Sequence, residues 1–205
     1  MTEIKAVIFD LYDTLVYIPN RTDPYHSLFK ELNITPLEMK KARRIALTED
    51  FGNISELVEK IKPNAGIDIK LYEDDIAKEN KSVVAFPETN AVLGKLQKRG
   101  FKIGLISNLS SSYKKPFFDL KLENYFDKIF FSCKVGLKKP DIKIYQKMIQ
   151  ELSIEPSQAL MVGDSLYCDV YPPRLIGMNA VLIDRENKSD ATPKIVSLEE
   201  IFQYC

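Results

Sequence analysis

Short apolar runs recur along the chain: AVIFDLY (6–12), FKIGLIS (101–107), KIFFSC (128–133), ALMVGD (159–164) and AVLID (180–184). Each is too short for a helix, and none alternates apolar with polar residues. Unbroken apolar character over so few positions is the pattern of strands covered on both faces in a parallel sheet. Segments of helical period lie between most of them. PETNAVLGKLQKRG (87–100) puts Val92, Leu93 and Leu96 on one stripe, with Pro87 near its start and Gly100 as its stop. DIKIYQKMIQELS (141–153) predicts a second helix with Ile142, Tyr145, Met148, Ile149 and Leu152 facing inward. Strand alternating with helix from residue 87 onward predicts an α/β fold on a parallel sheet.

Residues 16–84 follow a different pattern. They are charge-rich and helical in period, with no convincing strand. TPLE (35–38) combines an N-cap threonine, a proline at the first helical position and Glu38 three residues on, which spells a capping box. Residues 53–61 and 68–80 predict further helices. The expected organisation is a core of residues 1–15 and 85–205, interrupted by an all-helical cap of residues 16–84. Such a cap would sit over the sheet's carboxyl edge, where α/β folds bind ligands.

Composition narrows the class. The chain has 205 residues, 45% of them hydrophobic, enough for a sizeable core. Lys+Arg and Asp+Glu both number 29, so no bulk basic field exists to hold nucleic acid. Cys133, Cys168 and Cys205 are widely spaced without metal-binding intervals, and they read as reduced thiols. No apolar run approaches a membrane span, and the start carries no signal-peptide pattern. These features predict a cytoplasmic protein, monomer or homodimer, without nucleic-acid or membrane partners.

Polar groups fall at the ends of the predicted strands, where a parallel sheet gathers them along one edge. Asp10 follows the first strand, Ser107 and Asn108 the second, and Asp164 ends MVGD, with Asp169 five residues on; Lys139 stands in GLKKPD. Alone, each is an ordinary turn, cap or surface residue. Together they describe a phosphoryl-transfer site. Asp10 would attack as a carboxylate nucleophile. Asp164, with Asp169 as second ligand or support, offers hard oxygens to Mg²⁺, which would screen the nucleophile from an anionic substrate. Ser107 would bond phosphoryl oxygens, while Lys139 neutralises charge and keeps Asp10 ionised.

FDLYDTL (9–15), ISN (106–108), KKPD (138–141) and VGDSLYCDV (162–170) stand in the order of the four motifs of the haloacid dehalogenase-like hydrolase superfamily, which the chain resembles. The resemblance implies a Rossmann-like core, a helical cap inserted after the first motif, an aspartate nucleophile and Mg²⁺. It also implies that Tyr12 gives its backbone carbonyl to the metal beside Asp10, Asp164 and Asp169. Thr14, the motif's threonine, and Asn108 would then orient the site or contact substrate.

One position departs from the phosphatase pattern. Family phosphatases carry D-x-D in the first motif, the second aspartate serving as general acid and base; here that residue is Tyr12. Asp13 comes one residue late and faces the other way in an extended chain, so it is expected as a turn or cap residue unless the chain bends there. A phenol is a poor acid near neutrality. The expected enzyme is a phosphatase acting on a small anionic metabolite, best with good leaving groups.

Other readings stay open. The superfamily's L-2-haloacid dehalogenases carry tyrosine at this position, use no metal and hold the substrate with a cap arginine, for which Arg43 or Arg44 could serve. The fourth motif, GDSLYCD, has the metal-type aspartate and lacks their asparagine. A phosphonate hydrolase would need a cap lysine such as Lys30, Lys40 or Lys41. A binding or regulatory module with weakened catalysis is the non-enzymatic alternative. His26 and the arginine pair are expected on the solvated cap surface, and Cys168 as a packed small residue.

Overall fold

The computed structural model describes residues 3–205. The chain opens with β1 (Ala6–Phe9) and a short β2 (Val16–Tyr17), then runs through α1 (Pro24–Glu31), α2 (Pro36–Thr48), α3 (Ile54–Ile61) and α4 (Lys70–Ser82). It returns through β3 (Val84–Ala85), α5 (Thr89–Lys98), β4 (Lys102–Ser107), α6 (Lys115–Asp119), β5 (Lys128–Phe131) and α7 (Ser132–Val135). It ends with α8 (Ile142–Leu152), β6 (Ala159–Gly163), α9 (Tyr171–Leu175), β7 (Asn179–Ile183) and β8 (Lys194–Ile195).

The main sheet has six strands in the order β5-β4-β1-β6-β7-β8, and every neighbouring pair is parallel. This is the expected α/β core. Alternation along each strand feeds two apolar layers. Val7, Phe9, Ile103 and Leu105 point to one face, against Val92, Leu93 and Leu96 of α5. Ala6, Ile8, Ile106 and Met161 point to the other, against Tyr145, Met148 and Leu152 of α8. Residues buried on both sides of the sheet explain why its strands read as unbroken apolar runs.

Two details differ from the sequence expectation. Ile144, not Ile142, completes the buried stripe of α8, and Ile142 is exposed. Ile142 opens the helix directly after its Asp141 cap, at the exposed first position of the helix. Second, Val16–Tyr17 and Val84–Ala85 pair as an antiparallel ribbon. Those pairs tie together the two crossings between the helical segment and the sheet.

The helices α1 to α4 close an apolar core of their own around Leu28, Phe29, Ala42, Leu57, Tyr72 and Ile76. The α2 capping box forms as spelled: the Glu38 N–H donates to Thr35 Oγ1, and Glu38 takes the Thr35 N–H at 2.8 Å. Such a cap contributes about 1 kcal/mol. Among the described residues, no helix is long and apolar enough to cross a membrane.

Candidate active site

Register fixes what meets at the sheet edge. Phe9 pairs with Leu105 on one side and Val162 on the other, and the Asp10 N–H continues the ladder to the Val162 carbonyl at 2.9 Å. Asp10 therefore leaves the sheet between the ends of β4 and β6. Ser107 ends β4 and is buried, and Asp164 follows β6 directly.

Lys139 comes in from the loop before α8 and is almost wholly buried. Its Nζ donates to Asp10 Oδ1 and to Asp169 Oδ1, each at 2.6 Å. The loop that carries it is pinned by Asn108. The Asn108 amide donates to the Lys139 carbonyl, and its oxygen accepts the Lys139 N–H, both at 2.8 Å. Both ends of the Asn108 side chain are thus spent on aiming Lys139.

Asp169 is held in its turn. A π-helical turn (Leu166–Val170) folds it back so that its Oδ2 accepts the Ser165 N–H at 3.1 Å. The Tyr145 hydroxyl donates to the Cys168 carbonyl, tying that turn to the sheet-covering helix. Gly163 makes this possible. A Cβ at that position would collide with the Asp169 carboxylate. Cys168 takes part through its backbone only, its N–H reaching Ser165 Oγ at 3.2 Å.

Carboxylate oxygens of Asp10, Asp164 and Asp169 lie within 4.8 Å of one another. Among the described residues, only one buried ammonium, that of Lys139, meets them. Burial raises the Asp10 carboxyl to about 7, with Lys139 opposing and Asp169 adding to the rise. Asp164 keeps an exposed edge, yet desolvation by its surroundings, then Asp169 and Asp13, raise its carboxyl to about 6. Burial alone would lower the Lys139 ammonium, but Asp10 and Asp169 together hold it above the ordinary lysine value. Hard oxygen donors carrying surplus negative charge fit a divalent cation such as Mg²⁺.

Tyr12 is engaged by the loop after β4. Its hydroxyl donates to the Tyr113 carbonyl at 2.9 Å and its ring meets that of Tyr113 edge-on. Burial lifts its ionisation further above the ordinary phenol value. Asp13 is a turn residue, as expected, yet the chain does bend there. Its φ of 62° is left-handed, a region aspartate enters more readily than most residues. The bend turns its carboxylate toward the cap, where Arg21 Nη2 reaches it at 3.0 and 3.3 Å. Thr14 is fully buried, its hydroxyl unpartnered, and its carbonyl accepts from Arg185 at 2.7 Å.

Sequence reasoning missed the groups that join cap to core. Arg185 bridges the first-motif loop to Glu88 at 2.7 Å while lying over the Phe86 ring. The loop after Asn108 receives the cap. Tyr113 donates to Glu79 at 2.5 Å, Asn80 donates to the Ser112 carbonyl at 2.7 Å, and Ser111 and Lys114 both reach Asp50. The spelling SSSYK gives no hint of this, because its partners lie far off in the cap, Glu79 and Asn80 on α4 and Asp50 after α2.

A cavity of about 470 Å³ opens between cap and sheet edge. Tyr12, Asp13 and Asn108 line its core side; Arg21, His26 and Arg43 line its cap side. Arg43 and His26 are exposed, as expected, but they stand at the cavity and not on its outer face. Arg44, Lys30, Lys40 and Lys41 are exposed and do not line it.

Comparison with known proteins agrees with this architecture. A family model described as haloacid dehalogenase-like hydrolase matches residues 7–183. A glyceraldehyde 3-phosphate phosphatase of Pyrococcus furiosus is 26% identical, the alignment covering 99% of this chain and 93% of that protein. The protein of the same name from Pyrococcus abyssi is 30% identical, over 87% of this chain and 80% of its own length. Among solved structures, an HAD phosphatase from Thermococcus onnurineus superposes with a TM-score of 0.68 at 25% identity, covering 98% of this chain and 97% of that one. The chain belongs to the haloacid dehalogenase-like hydrolases.

Proposed function

We propose that this hydrolase is a Mg²⁺-dependent phosphatase acting on a small phosphorylated metabolite through a phosphoaspartate on Asp10. The observation that carries the reading is the clamp of Lys139 between Asp10 and Asp169 at 2.6 Å, with Asp164 beside them. Asp10 Oδ would attack phosphorus as the ester P–O bond breaks, and the leaving oxygen takes its proton from solvent. Water then attacks phosphorus, returning the Asp10 carboxylate and releasing inorganic phosphate. Lys139 and Ser107 balance the phosphoryl charge during both steps.

Asp10, Asp164 and the Tyr12 carbonyl would hold Mg²⁺, with Asp169 as ligand or support. The ion supplies charge neutralisation where carboxylate and phosphate approach. Residues 16–84 would act as the substrate-selecting lid, since their helices form one wall of the cavity. Tyr12 limits the rate with poor leaving groups, because no acid replaces the usual second aspartate. A metal-free dehalogenase would leave three clustered carboxylates sharing one ammonium, an arrangement that favours protonation of the nucleophile.

Borohydride trapping tests the intermediate. Quenching the enzyme during turnover of an aryl phosphate and reducing it should convert Asp10 to homoserine, read by peptide mass spectrometry. Unmodified Asp10 under steady turnover would overturn the covalent route.

A further inference from the structure

The charged groups lining the cavity are Asp13, Arg21, Asp23, His26, Arg43 and Glu79, and they divide into engaged and free. Asp13 and Arg21 neutralise each other at 3.0 Å. Glu79 is saturated, accepting from the Thr22 N–H and hydroxyl, the Asp23 N–H and the Tyr113 hydroxyl. Asp23, His26 and Arg43 remain.

Asp23 is the N-cap of α1, where an aspartate normally spends its carboxylate on the helix's own N–H groups. It does not do so here. The residue is left-handed, with φ at 54°, and makes no side-chain cap. Glu79 takes the N–H groups of Thr22 and Asp23 instead. Among the described residues nothing donates to the Asp23 carboxylate, which stands at the cavity.

Arg43 is free in the opposite sense. Its Nη2 donates to His26 Nδ1 at 3.1 Å. A guanidinium only donates, so Nδ1 must accept and the imidazole proton sits on Nε2. The pair therefore offers donors alone, and among the described residues Arg43 is in no ion pair. His26 stands three residues after Asp23, its N–H donating to the Asp23 carbonyl at 3.1 Å, so the free carboxylate and the donor pair lie on neighbouring parts of one cavity wall. Tyr25, Phe29 and Tyr113 complete the wall with aromatic surface, which also favours a cation.

A free carboxylate and a free guanidinium–imidazole pair, adjacent but unpaired, complement a zwitterion. We infer that this part of the cavity recognises an α-amino-acid head group and that the substrates are O-phosphorylated α-amino acids, Arg43 and His26 taking the carboxylate and Asp23 the ammonium. The inference rests on the phosphatase reading for its chemistry, but the recognition is testable without turnover.

Calorimetric binding to the Asp10→Asn protein with Mg²⁺ would compare compounds that share a phosphate and differ in the head. O-Phosphoserine carries both charges, 3-phosphoglycerate lacks the ammonium, O-phosphoethanolamine lacks the carboxylate, and glycerol 3-phosphate lacks both. O-Phosphoserine should bind roughly tenfold tighter than either singly charged head. Arg43→Met should erase its advantage over O-phosphoethanolamine, and Asp23→Asn its advantage over 3-phosphoglycerate. Equal affinities across the series, or advantages that survive both substitutions, would overturn the assignment. Wild-type turnover of p-nitrophenyl phosphate separates the two claims. Turnover with a flat binding series sinks only the head-group assignment, whereas its absence sinks the phosphatase reading.

Discussion

Lys139 Nζ lies 2.6 Å from Asp10 Oδ1, joining residues 129 positions apart in a buried ion pair that also takes in Asp169. The pair is structural, and in the proposed mechanism it is catalytic as well. Lys139→Met would leave buried carboxylates facing each other, and breaking one side of such a pair costs about 3–5 kcal/mol. The variant should melt at clearly lower temperature in calorimetry. Its turnover should also fall by about 10²-fold or more, the scale of a lost charge-stabilising donor.

Metal affinity should depend on pH through the same carboxylates. Desolvation above all raises the buried Asp10 to about 7 and the partly exposed Asp164 to about 6, so the metal-free folded protein holds protons that the unfolded chain releases. Stability from these groups is complete below the unfolded carboxylate value of about 4 and is lost as pH rises through their folded values. Mg²⁺ requires the ionised forms. Its thermal stabilisation should therefore be small near about pH 5 and grow toward about pH 7.5. A Mg²⁺-induced shift that stays constant across this range would contradict the carboxylate assignment.

Tyr12 should behave as a wall and not as an acid. Tyr12→Phe removes one hydrogen bond to the Tyr113 carbonyl, a loss of about 0.5–1.5 kcal/mol in stability. Turnover should change little. Tyr12→Asp should accelerate alkyl phosphates by up to ~10²–10⁴-fold while barely affecting p-nitrophenyl phosphate, whose leaving group needs no proton. Steady-state kinetics on both ester types would read the difference.

The sheet and its edge were legible because burial on two faces leaves apolar runs, and because strand ends carry the polar groups of the candidate site. Asp10, Ser107 and Asp164 follow directly from that rule. Lys139 was legible as a motif residue, but its double contact depends on Asn108 gripping its backbone from another loop. The cap was legible as helices through Thr35 and Glu38, and illegible as a surface. Asp23, His26 and Arg43 meet only after α1 packs on α2, and Glu79 reaches the α1 N-terminus from residues 56 and 57 positions away. The Val16–Tyr17 and Val84–Ala85 ribbon is too short to leave a periodic signal. Asp13 was legible as a turn residue, but not its direction, which depends on a single left-handed φ.

Hydrolysis of p-nitrophenyl phosphate, measured with Mg²⁺, with chelator and with Asp10→Asn, tests the central claim most directly. The account predicts turnover by the wild-type protein with Mg²⁺, lost on chelation and lost again in Asp10→Asn. Wild-type turnover indistinguishable from that of Asp10→Asn would contradict it.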